Sequence, residues 1–378
     1  MAAYPHLHLV LAEPFTLPVG RHKDDWDTWR PEVGKRQAAV ARLAVKYHAA
    51  LVPYQKVFDD AAKRAPADYW IWDAVHPTYS GQQLMADAWI KTVADFWPAS
   101  ATESHYRSVE NWAQFPDGVT KWGSATGVDV DAKGNVYVLH RNDAMPIMVF
   151  DRNGKFLRAW GQGMFKTTHF LRVDPSGNVW VTDRGSMQAF KFNSEGRLLM
   201  TLGKKDVKGD NTSHDAFNGM ADIAVAKNGT IFIADGEGPN TRVAKFSRDG
   251  KFIKWWGGKG TGPGQFDVPH SIALDAAGRV YVADRANNRI QIFDQNGKFL
   301  NQWTNFGTPW GLFIKGDRIY VVDGTDNNCL LIASLRDGKI LEKITGLKNA
   351  TAVTVDAADT IYIGEVNGTN VKKFVRSL

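Results

Sequence analysis

The stretch "HSIALDAAGRVYVADRANNRIQIFDQNGKFLNQW", residues 270–303, predicts four short strands separated by turns. A five-residue turn follows the first strand, a turn of variable length follows the second, and a tight turn follows the third. The tight turn contains Asn296 followed by Gly297. Such a pair suits a hairpin because both central residues of the turn need a positive φ. The stretch therefore predicts one four-stranded unit.

This unit recurs along residues 108–378, with a period of roughly 40–50 residues that is typical of a propeller blade. Six copies predict a mainly β protein with a six-bladed β-propeller. The first two strands recur as "TGVDVDAKGNVYVLH" (126–140), "HFLRVDPSGNVWVTD" (169–183), "ADIAVAKNGTIFIAD" (221–235), "HSIALDAAGRVYVAD" (270–284), "WGLFIKGDRIYVVD" (310–323) and "TAVTVDAADTIYIGE" (351–365). An aromatic residue holds one place in every copy, where we expect it to pack between blades: Tyr137, Trp180, Phe232, Tyr281, Tyr320 and Tyr362.

The ring of blades is predicted to close by pairing its first strand with its last. The sixth copy runs out after three strands, at residues 371–378. The segment "SVENWAQF" (108–115) precedes the first full copy and is predicted to supply the missing strand. Pairing of the two ends would leave neither edge of the sheet exposed.

Residues 1–97 have another pattern, which predicts a partial α/β segment. Apolar runs predict strands, and apolar residues at helical spacing predict helices. The predicted strands are at 6–15 and 51–54, and the predicted helices are at 30–50, 55–65 and 80–93. The polar stretch at 98–107 is predicted to be a linker between this segment and the propeller at 108–378.

Composition excludes several classes of protein. Of the 378 residues, 44% are hydrophobic and 23% are charged, as in ordinary globular proteins. The net charge of +6 is scattered among turns, which favours a solvated surface over a nucleic-acid site.

No apolar run approaches the ~20 residues of a membrane helix, and the start lacks the features of a signal peptide. The single cysteine, Cys329, permits a reducing compartment without requiring one, so the localisation stays open.

The residue that opens the first strand of each copy defines a set that we call the first-strand slot. We expect these side chains to converge near the central channel of the propeller. The six residues are Thr126, His169, Ala221, His270, Trp310 and Thr351. Imidazoles from alternate blades, His169 and His270, would face each other and could bind zinc, copper, iron or nickel. A structural role for both histidines is the alternative, because Thr351 cannot replace a third imidazole.

Two further slots lie at the end of the second strand. The first holds His140, Asp183, Asp235, Asp284, Asp323 and Glu365, which we expect to accept hydrogen bonds from backbone N–H groups of a neighbouring turn. The next slot holds Arg141, Arg184 and Arg285. We predict that Arg141 and Arg285 form a cationic rim able to bind a carboxylate. For Arg184 the sequence leaves open whether it joins the rim or forms a surface salt bridge.

The propeller half resembles NHL-type six-bladed propellers, and in particular the bacterial relatives of peptidyl-α-hydroxyglycine α-amidating lyase. The resemblance rests on "HRND" (140–143), residues 169–186 and 222–238, and the long match "GQFDVPHSIALDAAGRVYVADRANNRIQIF" (264–293). It implies a lyase that cleaves the α-hydroxyglycine end of a peptide into a peptide amide and glyoxylate. The family uses a zinc ion held by three histidines, a tyrosine base, arginines that hold the carboxylate, and a calcium ion in the channel.

By this resemblance His169 and His270 match two zinc ligands, and Arg141 and Arg285 match the two functional arginines. Three positions depart from the family pattern. The third zinc histidine falls on Thr351, the calcium-binding aspartate on Ala352, and the tyrosine on Glu237. A carboxylate can act as a general base, so Glu237 is a candidate for that role. The resemblance therefore implies a site without the third zinc histidine and without the calcium-binding carboxylate.

The first half resembles the C-terminal part of an SGNH, or GDSL-type, ester hydrolase. The residues that carry this are "LAEPFTLPVG" (11–20) and "WDAVHPTYSGQQLMADAWI" (72–90). The resemblance implies that Asp73 orients His76 to activate a serine, but the serine block of the family is missing from the chain. Ser80 is predicted to cap the following helix. So small a segment buries little by itself, and we expect it to dock on the propeller, pair with a second copy or remain partly loose.

Three functions remain open at this stage. The first is a binding propeller that takes a small carboxylate or a peptide end, with a weak divalent-metal site. The second is an active metal-dependent lyase, and the third is an ester hydrolase whose serine half is supplied elsewhere. Neither a nucleic acid nor a membrane is expected as a partner. Relatives of the propeller are commonly exported, although nothing in this chain directs export.

Overall fold

The computed structural model describes residues 9–47, 49–96, 104–325 and 327–377. The chain divides into two compact units, Met1–Ala101 and Thr102–Leu378. The division falls within the predicted linker, most of which, 98–103, lies outside the described residues. Within those residues, no helix combines the length and apolar character needed to cross a membrane.

The first unit is a small α/β arrangement around a two-stranded parallel sheet. Its elements are β1 (Val10–Ala12), a short 3-10 helix (Gly20–His22), α1 (Trp26–Tyr47), β2 (Ala50–Val52), α2 (Tyr54–Ala62), α3 (Ala67–Trp70) and α4 (Tyr79–Phe96). The strands pair in parallel, with Val10 opposite Ala50. Leu17, Phe58 and Ile71 form the buried core. The helices and strands occur near their predicted places, although β1 is shorter than predicted and residues 6–8 lie outside the described part of the chain.

The prediction that Ser80 caps the last helix of this unit is wrong. Helix α4 begins at Tyr79, so Ser80 already lies in its first turn. The residue before the helix, Thr78, accepts a hydrogen bond from the backbone N–H of Gly81 through its Oγ1 at 3.2 Å. A side-chain oxygen in that position satisfies one of the free N–H groups at the start of the helix.

Across the described residues, the second unit forms six four-stranded antiparallel sheets, which are the blades of a propeller. Blades one to three contain β4 (Ala125–Val130), β5 (Val136–His140), β6 (Ile147–Phe150), β7 (Phe156–Trp160); β8 (Thr168–Val173), β9 (Val179–Asp183), β10 (Gln188–Phe192), β11 (Leu198–Leu202); and β12 (Met220–Val225), β13 (Ile231–Asp235), β14 (Arg242–Phe246), β15 (Phe252–Gly257). Blades four to six contain β16 (Pro269–Leu274), β17 (Val280–Asp284), β18 (Arg289–Phe293), β19 (Phe299–Trp303); β20 (Pro309–Lys315), β21 (Arg318–Asp323), β22 (Cys329–Ser334), β23 (Ile340–Ile344); and β24 (Ala350–Val355), β25 (Ile361–Glu365), β26 (Asn370–Arg376), β3 (Tyr106–Val109). A second 3-10 helix spans Arg285–Asn287.

The ring closes as predicted, through a strand from the start of the unit. Strand β3 pairs antiparallel with β26, and Ser108 lies opposite Phe374. The strand is at 106–109 rather than at the predicted 108–115. The chain turns at Asn111, which has a φ of 51°. Beyond this turn the buried Trp112 donates its indole N–H to the carbonyl of Val371 at 2.7 Å.

The first strand of each blade lies innermost and contacts the first strands of both neighbouring blades. In every blade the register between the first two strands shifts at one residue, which is left out of the ladder as a bulge. The bulged residues are those of the first-strand slot, namely Thr126, His169, Ala221, His270, Trp310 and Thr351. All six blades therefore present the slot residue in the same irregular backbone at the end of the channel.

The recurring aromatic residue packs between blades, as predicted. Tyr281 of blade four, for example, lies in one buried cluster with Leu312 and Ile319 of blade five. Tyr362 of blade six packs with Val128 and Val136 of blade one. The other four are buried in equivalent clusters, at Tyr137, Trp180, Phe232 and Tyr320.

Candidate functional site

Two imidazoles meet at the channel end where the slot residues lie. The rings of His169 and His270 are 4.9 Å apart between centroids and inclined at 72°. Both residues are buried. The prediction that these two histidines face each other across alternate blades is confirmed.

Each of these imidazoles is oriented by the backbone of the following blade. The Nδ1 of His169 lies 3.1 Å from the carbonyl oxygen of Ala221, and the Nδ1 of His270 lies 2.6 Å from that of Trp310. A carbonyl oxygen only accepts, so Nδ1 carries the proton and the Nε2 of the neutral ring keeps a lone pair. This is the arrangement that orients metal-binding histidines.

Both imidazoles are neutral near pH 7. Burial lowers the pKa of His169 to about 4, against the opposing effect of the Glu237 charge. Burial also lowers the pKa of His270 well below its ordinary value, helped by the positive charge of Arg285. Their Nε2 lone pairs are therefore available to a ligand at physiological pH.

Glu237 reaches into the space beside the two imidazoles. Its Oε2 is 3.7 Å from the Nε2 of His169, and its Oε1 is 3.5 Å from the Nε2 of His270. The side chain is only 11% exposed. Its loop is held by the N–H groups of Gly236 and Glu237, which both donate to the carbonyl of Gly219. A Cβ at Gly238 would lie 2.2 Å from the carbonyl oxygen of Asn218, so a glycine is needed for this close approach.

Two arginines hold the Glu237 carboxylate. Arg184 donates from Nη1 to Oε2 at 2.9 Å, and the Nη2 of Arg285 lies 2.8 Å from Oε1. Arg285 also lies over the face of Trp310, 4.4 Å from the ring centroid, in a cation–π contact. Arg184, whose place the sequence left open, is thus a direct neighbour of the site.

Arg141 lies at the same end of the propeller. It donates from Nη2 to the carbonyl of Thr168, the residue before His169, at 3.3 Å. Burial and the positive charge of Arg184 lower the pKa of Arg141, while Glu237 raises it. The structure therefore brings together His169, His270, Glu237 and Arg285. Arg141 lies beside this group, because it contacts Thr168, the residue before His169.

The residues at the channel end fit a divalent metal. Candidate ligand atoms of His169, Glu237 and His270 lie within 4.8 Å of one another. Over the described part of the chain, the Nε2 of His270 is buried without a hydrogen-bond partner, and the buried Oε1 of Glu237 is paired with the charged Nη2 of Arg285 at 2.8 Å. The Nε2 of His270 and the Oε1 of Glu237 are both acceptors and lie 3.5 Å apart, so a cation between them would relieve the repulsion of their lone pairs. Two histidines and one glutamate form a known donor set for zinc.

In the sequence, the position of the family's third zinc histidine is Thr351, which cannot replace an imidazole, and Glu237 is a candidate only for a general base. The structure offers Glu237 as the third donor instead. The signal available in the sequence was the replacement of an aromatic residue by a carboxylate in the "ADGEGPNTR" loop. Its distance from the two histidines could not be read from the sequence, because the loop belongs to the blade between theirs.

The channel does not fit a calcium ion. Ala352, at the position of the family's calcium carboxylate, is buried and offers no side-chain oxygen. The channel already contains the guanidinium of Arg172, which donates to Asp222 at 3.0 Å from Nε and 2.6 Å from Nη2. A second cation beside this buried guanidinium would be repelled.

Four of the five acids at the end of the second strand accept hydrogen bonds from backbone N–H groups of a neighbouring turn, as predicted. Asp183 accepts from the backbone N–H groups of Lys166 and Thr167 at 2.7 Å. Asp235, Asp284 and Glu365 accept from equivalent turns, and the Nδ1 of His140 accepts from Gly123 at 3.0 Å. Asp323 departs from the pattern and accepts from the side-chain amide of Asn327.

Asp73 and His76 lie in the first unit and pair with each other. The Nδ1 of His76 lies 2.8 Å from the Oδ2 of Asp73, and both side chains are exposed. The hydrogen bond from His76 is the main reason why the pKa of Asp73 is lowered to about 2. Within the described residues, the hydrogen bonds of the His76 ring go only to Asp73. A catalytic role for this pair stays a prediction.

Comparisons with known proteins support the propeller half. An NHL repeat matches residues 266–293, within blade four. This chain carries an NHL repeat. Human NHL repeat-containing protein 3 is 39% identical over 195 residues, which cover 48% of this chain and 54% of the relative. The peptidyl-alpha-hydroxyglycine alpha-amidating lyase 2 of Drosophila melanogaster is 33% identical over 208 residues, which cover 47% of this chain and 49% of the relative. The match thus spans about half the length of these two relatives.

A solved structure has a similar fold. The gluconolactonase from Xanthomonas campestris superposes with a TM-score of 0.52 at 15% identity, covering 68% of this chain and 86% of that one. At this level of identity the likeness concerns the fold alone. The resemblance of the first unit to an ester hydrolase stays a prediction.

Proposed function

We propose that the channel end of this propeller binds the carboxylate of a small molecule or of a peptide end, through Arg285 and Arg141. The observation that carries the proposal is the Glu237 carboxylate itself, held between Arg184 and Arg285 at 2.9 and 2.8 Å. The site therefore accommodates a carboxylate, and guanidinium groups retain N–H donors for a second one. Support also comes from the Drosophila relative, whose name describes a lyase acting on a peptidyl-α-hydroxyglycine.

His169, His270 and Glu237 would hold a divalent metal, with zinc as the ion that the donor set favours. A metal bound there would act as a Lewis acid on an oxygen atom of the ligand. The arginines would orient the carboxylate of that ligand, and the buried walls of the site would exclude water from it.

Lyase activity is the second candidate, favoured by the two imidazole lone pairs that converge on one point. It requires a base, and Glu237 is the candidate in this site. Both of its oxygens are engaged by arginines, so it must release one of them before it takes a proton. Binding of a carboxylate does not require Glu237 to leave an arginine or to take a proton, so we place the binding propeller first. The ester-hydrolase alternative rests on Asp73 and His76, and labelling of the protein by a fluorophosphonate would be required to support it.

The test measures metal and carboxylate binding by the purified full chain. We expect about one zinc or cobalt ion per chain by mass spectrometry, lost in the His270→Gln variant and kept in Thr351→Val, whose side chain supplies no ligand atom here. Calorimetry with N-acetylglycine should show binding that Arg285→Gln weakens about tenfold, the loss expected for one charge-assisted hydrogen bond. Absence of N-acetylglycine binding, or binding unaffected by Arg285→Gln, would refute the proposal. Release of glyoxylate from an N-acyl-α-hydroxyglycine would instead favour the lyase.

A further inference from the structure

Arg184 is the residue of the channel end to which neither the family pattern nor the sequence assigned a role. Its guanidinium touches Glu237 at 2.9 Å and is 38% exposed. Its positive charge lowers the pKa of Arg141, Arg285, His169 and His270. Arg184 therefore lies among all the groups from which the proposed carboxylate site is built.

The three arginines have unused capacity for hydrogen bonds. A guanidinium carries five N–H donors. In the described part of the chain Arg141 contacts the carbonyl of Thr168, while Arg184 and Arg285 each contact one oxygen of Glu237. The remaining donors of all three are left for a ligand.

The site also carries an excess of positive charge. Three guanidiniums surround one carboxylate: Arg184 and Arg285 contact Glu237, and Arg141 contacts the carbonyl of Thr168 beside His169. The acids next to Arg184 and Arg285 in the chain are directed at other groups, since Asp183 accepts from the backbone N–H groups of Lys166 and Thr167 and Asp284 pairs with Arg289. Lys166, another nearby cation, is paired with Asp206. The three arginines and Glu237 taken together therefore carry a net charge of +2, because one carboxylate is shared between two of the guanidiniums.

We propose that the channel end selects small ligands with two negative charges, such as a short dicarboxylate or a peptide end with an acidic side chain, and that Arg184 is the specificity-determining residue. The inference rests on the proposed carboxylate binding and adds the substrate class. A monocarboxylate neutralises only half of the net positive charge of the site, whereas a dianion neutralises all of it. A phosphate group shares this charge and is distinguished by the test.

The test compares succinate, butyrate and inorganic phosphate by calorimetry with chelator-treated full chain at low salt. Succinate and butyrate share a four-carbon skeleton and differ by one carboxylate. We expect succinate to bind about tenfold more tightly than butyrate, as one additional charge-assisted hydrogen bond would give. Arg184→Gln should remove most of this preference, because it weakens succinate binding more than butyrate binding. The matched control is Arg197→Gln, an exposed arginine of blade two, which should behave as the wild type.

Glu237→Gln gives an independent readout in the opposite direction, should Arg184→Gln fail to fold. It removes the internal negative charge, so the preference for succinate should increase.

Equal affinity of the wild type for succinate and butyrate overturns the inference while butyrate binding still supports the proposed function. Persistence of the preference in Arg184→Gln also overturns it. Tighter binding of phosphate than of succinate, lost in Arg184→Gln, supports selection of dianions and identifies phosphate as the group. If none of the three ligands binds, the inference and the proposed function fail together.

Discussion

At the scale of single residues, one hydrogen bond decides what each histidine of the channel end can do. The Nδ1 atoms of His169 and His270 face carbonyl oxygens, so their Nε2 atoms present lone pairs. The Nδ1 of His140 instead accepts from the backbone N–H of Gly123, so the proton of its neutral ring is on Nε2. His140 thereby accepts a backbone hydrogen bond, as the acids at the equivalent position of other blades do. The two kinds of histidine differ in the group that faces them, and their side chains are chemically the same.

The buried His140 predicts a pH dependence of stability. Burial lowers its pKa to about 4, below the ordinary value of about 6.5 that applies in the unfolded chain. Between these values the unfolded chain takes up a proton that the native protein does not, so the free energy of unfolding falls as the pH falls from about 7 towards 4. The contribution of neutral His140 to the free energy of unfolding is therefore fully present above pH 6.5, the pKa of the unfolded chain, and is lost as the pH falls towards 4.

His140→Gln isolates this effect, because the amide oxygen still accepts from Gly123 while the side chain no longer titrates. The free energy of unfolding, measured with urea, should fall between pH 7.5 and 4 by up to about 3 kcal/mol more in the wild type than in the variant. All other histidines are common to both proteins and cancel in the difference. Parallel curves of unfolding free energy against pH would contradict the prediction.

At the scale of elements, irregular points in regular structures place the functional side chains. The bulge in the first strand of each blade takes the slot residue out of the ladder, and two of those six residues are the facing imidazoles. The loop after β13 places Glu237 between them, because glycines on both sides allow close backbone contacts. Strands with unbroken pairing supply the rigid frame around these points.

The cap of α4 gives a prediction at this scale. Thr78→Ala should destabilise the start of the helix by about 1 kcal/mol, because the N–H of Gly81 loses its acceptor. Ser80→Ala is the matched control and should change the stability by less than about 0.5 kcal/mol. Hydrogen exchange of the first turn of α4, followed by mass spectrometry, measures both. Faster exchange in Ser80→Ala than in Thr78→Ala would show that the cap had been assigned to the wrong residue.

At the scale of the whole molecule, a buried polar network crosses the channel and joins the blades. Arg172 of blade two pairs with Asp222 of blade three and donates to Ser271 of blade four and to the carbonyl of Leu312 in blade five. The Asp129 carboxylate of blade one accepts from Val173 of blade two and from Thr354 of blade six. Every blade therefore takes part in polar contacts around the axis, in addition to the apolar packing between blades.

Loss of Arg172 should weaken the propeller as a whole. Arg172→Met leaves Asp222 buried without its partner, which should cost about 3–5 kcal/mol in the free energy of unfolding. Adding Asp222→Asn removes the unpaired charge, and the double variant should recover part of that loss. Chemical unfolding of the two single variants and the double variant gives the coupling between the residues.

The control for this cycle is Arg197→Met, which should change the stability by less than about 0.5 kcal/mol because the side chain is exposed. Additive losses in the double variant would show that Arg172 and Asp222 do not act as a pair.

The sequence by itself determined the six-bladed ring, the closure of its ends, the packing of the aromatic slot and the facing of His169 and His270. These features depend on a repeated pattern, and equivalent positions in equivalent blades must have equivalent places around the axis. The tertiary structure alone decided the contacts of Glu237 and Arg184, the cap at Thr78 and the course of the chain at Asn111. Those depend on loop conformation and on side chains that meet across blades, where a shift of a few ångströms changes the partner and no local pattern records the distance.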